Sequence, residues 1–181
     1  MKQNNIKLMM TFIIVIFSLN CSINMEQFKD DSNLVLHHKK GLISSGFAIR
    51  DTKSKAIEKA TQKAFRKVMK EVAGKVETQL TFEVGELDLQ PLLPGISNKI
   101  KGFHPVSNDK KYFKIKRKEY NQDSGNCWVV IDVSKKNIIK IVQDISLEII
   151  NSRIDSRVGT GISSLDDSEK QELFQRISKI K

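Results

Sequence analysis

The chain has 181 residues and a formal net charge of +10, from 31 basic and 21 acidic side chains. This length predicts one domain with extensions, long enough to bury a hydrophobic core without disulfide bonds. Without the first twenty residues the charge is +8, from 29 basic and 21 acidic side chains. In an exported protein this surplus favours lipid headgroups, envelope polymers or acidic proteins as partners, and it disfavours intracellular nucleic acid.

The first twenty residues are predicted to be a signal peptide. Lys2 and Lys7 form a short basic head, and LMMTFIIVIFSL follows as a run of about twelve mostly apolar residues. This run is shorter than the ~20 residues that a membrane-spanning helix needs. The segment therefore predicts export rather than a transmembrane anchor.

Cys21 follows this segment directly, in the sequence SLNC. SLNC resembles a bacterial lipoprotein processing site, although Ser18 takes the usual leucine position and Asn20 replaces the usual small residue. We predict that Cys21 becomes the mature N-terminus and carries lipid such as palmitate, with an ordinary signal peptide as the alternative. Two or three acyl chains would anchor the protein firmly, because each buried methylene contributes about 0.8 kcal/mol.

Three further segments follow the signal peptide. We expect residues 21–40 to be a polar tether, residues 41–152 to form an α+β domain, and residues 153–181 to be an extension with a short amphipathic helix. The tether lacks sustained periodicity. It contains His37 and His38, which on any regular element point in different directions, so no metal site is predicted.

The most periodic stretch predicts a helix from Ser54 to Ala73, ended by Gly74 in the C′ position. Its apolar stripe consists of Ala56, Ala60, Ala64, Val68 and Val72, with Ile57, Thr61, Phe65, Met69 and Ala73 beside them. The alanines predict a close approach to a sheet. A column of basic residues on the outer side is expected to face water or an acidic partner: Lys55, Lys59, Lys63 and Lys67.

Strands are predicted on both sides of this helix. Gly41–Arg50 precedes it, and Val76–Val84 follows with strict alternation of apolar and polar side chains. Residues 85–102 contain prolines and are expected to be an irregular connection that packs back on the domain. Together these features predict an α+β fold, with the long helix on one face of an antiparallel sheet of about four strands.

A late hairpin is predicted from Lys110–Tyr120 and Cys127–Val133. Alternation places Lys114, Lys116 and Lys118 on one face of its first strand. This stripe is either a binding surface for an anionic polymer or lipid surface, or a solvated face that protects an edge strand. The second strand places Cys127 among alternating apolar residues, which predicts a buried and inert thiol.

Two helices are predicted after the hairpin. Ser134–Ile154 is apolar on most sides and is expected to be buried. GTGISS at 159–164 then breaks the pattern. A short amphipathic helix follows, with acidic residues at its start, and is expected to dock on the domain because it would be marginal alone. Its apolar residues are Leu165, Leu173, Phe174, Ile177 and Ile180.

Three of these pieces stand in a characteristic order: a strand ending GFAIR, the helix AIEKATQKAFRKVMKEVAGKV, and a hairpin closing on CWVVIDVSK. Over about residues 42–142 this order resembles the Lpp-twenty family, the twenty-kilodalton bacterial outer-membrane lipoproteins, which are related in fold to a flagellar assembly module. The resemblance implies a compact α+β domain, tied in several members to motility or envelope assembly. It implies no catalytic residues. The density of lysine and the insertion at Leu89–Gly95 depart from the family pattern.

These features predict a lipid-anchored envelope lipoprotein that acts as a non-catalytic structural or interaction module. The expected partners are the membrane, through the lipid, and an envelope protein, with oligomerisation open. The alternative is an adhesin that binds acidic polymers or proteins through a basic face. An enzyme and a cofactor are not predicted, because the chain lacks a glycine-rich phosphate loop, a GxSxG elbow and a cluster of metal ligands. His104 is a lone loop histidine.

Overall fold

The computed structural model describes residues 25–79, 83–84, 87–88, 90–105, 111–155 and 166–179. The strands are β1 (Val35–His38), β2 (Gly41–Ile49), β3 (Glu83–Val84), β4 (Leu87–Asp88), β5 (Lys114–Tyr120) and β6 (Asn126–Ser134). The helices are α1 (Met25–Asp30), α2 (Lys53–Gln79), α3 (Leu93–Gly102), α4 (Lys135–Asp155) and α5 (Asp167–Ser178). Four strands form one antiparallel sheet in the order β1-β2-β6-β5, with α2 packed on it. The predicted α+β fold is therefore confirmed.

The contact between α2 and the sheet depends on small residues on both sides. Gly46 of β2 pairs with Val129 of β6, on the sheet face that α2 covers. A methyl group built on Gly46 would overlap the backbone carbonyl oxygen of Ala60 and lie 2.7 Å from the backbone nitrogen of Ala64. The backbones of helix and strand therefore touch here, as the alanine stripe predicted.

The end of α2 differs from the prediction. The helix continues through Gly74 to Gln79, so the predicted strand Val76–Val84 is wrong over its first four residues. Val76 is fully buried and continues the apolar column of Val68 and Val72 by one more helical turn. Burying this side chain offsets the roughly 1 kcal/mol that a glycine costs inside a helix. Of the described residues of the predicted strand, Glu83 and Val84 are extended, in β3, and residues 80–82 lie outside the described residues.

The segment before β2 is folded from residue 25 onward, so the expected tether at 21–40 is wrong there. Met25 and Phe28 of α1 are buried with Val130 against the sheet face opposite α2. Residues three apart share a helix face, which explains how so short a helix buries both side chains. β1 then pairs with β2 along its whole length. The sheet consequently has helical cover on both faces, and residues 21–24 lie outside the described residues.

The connection expected to be irregular contains α3. Pro94 lies in the first turn, where its missing N–H costs no helical hydrogen bond. Leu93, Ile96 and Ile100 are buried beside α2 and α4. The prediction that this connection packs back on the domain is confirmed, whereas the prediction that it is irregular is wrong.

The two predicted C-terminal helices are present as α4 and α5. Leu173 and Ile177 of α5 are buried, and α5 packs on α4. At the start of α5 the Glu169 backbone N–H donates to Asp166 Oδ1 at 2.8 Å, and the Asp166 N–H donates to Glu169 Oε2 at 2.8 Å. This capping box satisfies two backbone donors that the helix leaves unpaired. GTGISS at 159–164, Leu165 and Ile180 lie outside the described residues.

Candidate functional site

The outer face of α2 is basic. α2 carries eight basic and three acidic side chains. Lys55 and Lys63 are exposed and Lys59 is half-buried, each one helical turn from the next. Within the described ranges, none of the three lysines forms an ion pair with an acidic side chain. Like charges at this spacing repel by a few tenths of a kcal/mol per pair, which an anionic partner would relieve.

Lys67 belongs to the same column by sequence but has a different environment. Its ammonium group donates to the backbone carbonyl oxygen of Ser45 at 2.6 Å and to that of Ser32. β1 pairs with β2 only as far as Ser44, so the β2 backbone beyond it has no β1 partner. Burial lowers the pKa of Lys67 below its usual range. The prediction that Lys67 faces water or a partner is therefore wrong, since it holds β2 and the α1–β1 connection to α2.

The three lysines of β5 do not share a face, contrary to the prediction. A β-bulge lies between Ile115 and Arg117, so the alternation shifts by one residue at Lys116. Lys114 pairs with Asp132, whose side of the sheet is the α1 side, and Lys118 pairs with Val129, on the α2 side. The ammonium group of Lys116 lies 3.2 Å from the Asp132 carboxylate. Binding at these lysines stays a prediction, now without the shared surface that motivated it.

The two adjacent histidines of β1 point to opposite faces, as expected of a strand. His37 Nε2 lies 3.1 Å from Glu71 Oε1 on the α2 side, and His38 Nε2 lies 3.2 Å from Asp132 Oδ1 on the other. His104 Nε2 contacts the Arg66 guanidinium at 3.3 Å. No group of three metal-ligating side chains occurs in the part of the chain that the structure describes.

The structure describes one of the two cysteines of the chain. Cys127 is fully buried on the α2 side of the sheet, and burial raises the pKa of its thiol. The predicted burial of Cys127 is therefore confirmed, and the raised pKa favours the protonated thiol over the reactive thiolate. Cys21 lies outside the described residues, so its lipidation stays a prediction.

A second group of basic side chains was missed from the sequence. Lys39, Lys75 and Lys135 line one groove, although they belong to a strand turn, a helix and the start of another helix. Nothing in their spacing marks them as neighbours, because the fold alone brings these three elements together. The only sequence signal was the overall excess of lysine.

Comparisons with known proteins give no match from which a function could be assigned. No protein-family model matches the chain, and no curated protein matches it significantly. Among the helices that the structure describes, none is long and apolar enough to span a membrane.

Proposed function

We propose that this protein is a lipid-anchored lipoprotein of the bacterial outer membrane, acting as a non-catalytic interaction module in envelope or motility-apparatus assembly. The observation that supports it best is the outer face of α2. Lys55, Lys59 and Lys63 lie on a helix whose other side is held against the sheet, so their spacing is fixed. A rigid row of like charges favours an acidic envelope partner, because binding orders no backbone and relieves the repulsion.

The anchor part of the proposal rests on the N-terminal sequence. A basic head, an apolar run and Cys21 stand in the order that export and lipidation require. Mass spectrometry of the mature N-terminus in a bacterium with an outer membrane should find Cys21 as the first residue, carrying acyl chains. Unmodified Cys21, or cleavage at another position, would remove the lipoprotein part of the proposal.

The partner part is tested by crosslinking in intact cells, followed by identification of the captured proteins. The test variant combines Lys55→Glu, Lys59→Glu and Lys63→Glu. A matched variant places the same charge reversals at three exposed lysines elsewhere in the chain: Lys40, Lys136 and Lys179. Both variants have the same net charge, so general electrostatic effects cancel.

We expect the helix variant to lose at least about nine-tenths of its specific crosslinks, because a charge reversal changes attraction into repulsion. The matched variant should keep most of them. Equal losses in both variants, or the capture of only nonspecific neighbours, would contradict the proposal.

A further inference from the structure

A groove with an apolar floor lies between the β1–β2 turn, the C-terminal half of α2 and the start of α4. Its volume is about 280 Å³. Leu42, Val72 and Val142 form the buried part of the floor. Ile138 and Ile139, on the first turns of α4, are half-buried and face the same space. The floor can therefore contact a hydrocarbon chain, because the described side chains that α4 contributes to its centre are apolar.

The mouth of the same groove is basic. Lys39, Lys75 and Lys135 line it, together with His37 and His38, and no acidic residue is among the described residues that line it. α4 begins at Lys135 and has no acidic residue in its first turn, so the positive end of the helix adds to the charge of the lysines. The groove thus combines an apolar interior with a cationic entrance.

The rim is held in place by hydrogen bonds. The Lys135 backbone N–H donates to the Lys40 carbonyl oxygen at 2.6 Å and fastens the β1–β2 turn to α4. Lys75 Nζ lies 3.3 Å from His37 Nδ1, and His37 Nε2 lies 3.1 Å from Glu71 Oε1. The lysines therefore sit on a preorganised frame, which lowers the entropic cost of binding an anion there.

We propose that this groove binds an amphiphile with a single acyl chain and a carboxylate headgroup, namely a medium-chain fatty acid anion. The chain would lie on Leu42, Val72 and the α4 isoleucines, and the carboxylate would meet the lysines at the mouth. The volume is slightly below the usual range of ligand pockets, about 300–1,000 Å³, which favours one short chain over a two-chain lipid. This site is separate from the outer face of α2 and does not depend on the function proposed for that face.

The probe is a series of hexanoate, octanoate and decanoate, titrated calorimetrically below the concentrations at which they form micelles. The protein is the full chain with Cys21→Ser, so that no acyl chain attached to the protein competes for the groove. We expect one site per chain, with Kd decreasing about fourfold per added methylene until the floor is covered. Decyltrimethylammonium, which has the same chain length as decanoate but a positive headgroup, should bind at least about tenfold more weakly.

Adjacent lysines supply matched controls. Lys39→Gln and Lys135→Gln should each weaken decanoate binding about threefold, as expected for a partly exposed ion pair. Lys40→Gln and Lys136→Gln remove the same charge from exposed neighbours outside the groove and should leave Kd unchanged. All four positions are exposed, so we expect the variants to keep the melting temperature of the parent chain.

Ile139→Glu tests the floor, with Ile149→Glu as a control at a similarly half-buried position of α4 outside the groove. Ile139→Glu should abolish decanoate binding, whereas Ile149→Glu should not. No detectable binding of decanoate, equal binding of decyltrimethylammonium and decanoate, or equal effects of test and control variants would each overturn the proposal. Vesicles of anionic two-chain phospholipid that bind through Lys39 and Lys135 in the absence of decanoate binding would also overturn it, since the groove would then be a membrane contact.

Discussion

The inner and outer sides of α2 differ in how tightly their residues are packed. The inner side meets the sheet at Gly46, where there is no room for a methyl group beside the Ala60 carbonyl oxygen. The outer side carries Lys55, Lys59 and Lys63 without an acidic partner among the described residues. The inner side is thus constrained by close packing on the sheet, and the outer side is not. Substitutions should therefore affect stability on one side and association on the other.

The largest expected effect comes from the inner side. Gly46→Ala should reduce the free energy of unfolding by about 3 kcal/mol, because the added methyl group overlaps backbone atoms that cannot move separately. Gly74→Ala is the matched control within α2, since nothing lies within 4 Å of a methyl group built there. It should stabilise the protein by about 0.5–1 kcal/mol. Urea unfolding of both variants measures the two values, and equal signs would contradict the close contact at Gly46.

The second effect distinguishes two lysines of the same column. Lys67→Ala should cost about 2 kcal/mol of unfolding free energy, because it removes hydrogen bonds from a charged donor to the carbonyl oxygens of Ser45 and Ser32. Lys63→Ala should change stability by less than about 0.5 kcal/mol, as an exposed substitution does. Thermal unfolding followed by circular dichroism compares them. If both variants unfold at the same temperature, the structural role assigned to Lys67 is wrong.

The smallest effect concerns the junction of α2 and α3. Glu77 accepts hydrogen bonds from Ser97 and from Lys101, the latter at 3.0 Å, and these bonds lower the pKa of its carboxyl group. A lowered pKa in the folded state means that the contribution of Glu77 is complete above the usual carboxyl pKa of about 4.3 and is lost as the pH falls further. The Glu77→Gln variant should therefore lose less stability than the parent chain as the pH falls below about 5. Unfolding curves at several pH values measure this loss of stability, with Glu58→Gln as the control. If the two variants lose the same amount of stability as the pH falls, the role assigned to Glu77 is wrong.

The architecture could be predicted where one periodicity is sustained. The alanine column predicted the helix and its close approach to the sheet, and the alternation of Cys127 with Val129 and Ile131 predicted β6. The end of α2 was mispredicted because Val76 fits two patterns, the helical column and the alternating strand. Tertiary burial selects the helix, and a single glycine does not cost enough to end it.

Other features have no signature in the sequence. β1 is four residues long and half of it is histidine, so its pairing with β2 arises from the turn and the sheet rather than from its own composition. The bulge at Lys116 adds one residue to an alternating pattern, and composition does not show where a strand takes up an extra residue. The placement of Lys55, Lys59 and Lys63 on the outer side of α2 was therefore predicted correctly, and the shared face of the β5 lysines was wrong. Binding at either set of lysines stays a prediction.

The short helix α1 changes what a lipid on Cys21 would mean for orientation. Only three residues separate Cys21 from Met25, and the four residue steps between them reach at most about 14 Å in a fully extended chain. With the lipid in the bilayer, the α1 side of the sheet would lie close to the headgroups, and α2, on the opposite face of the sheet, would point away from the membrane. The lysines of α2 would then face away from the bilayer that holds the protein, so a partner that binds them would approach from the side opposite the lipid.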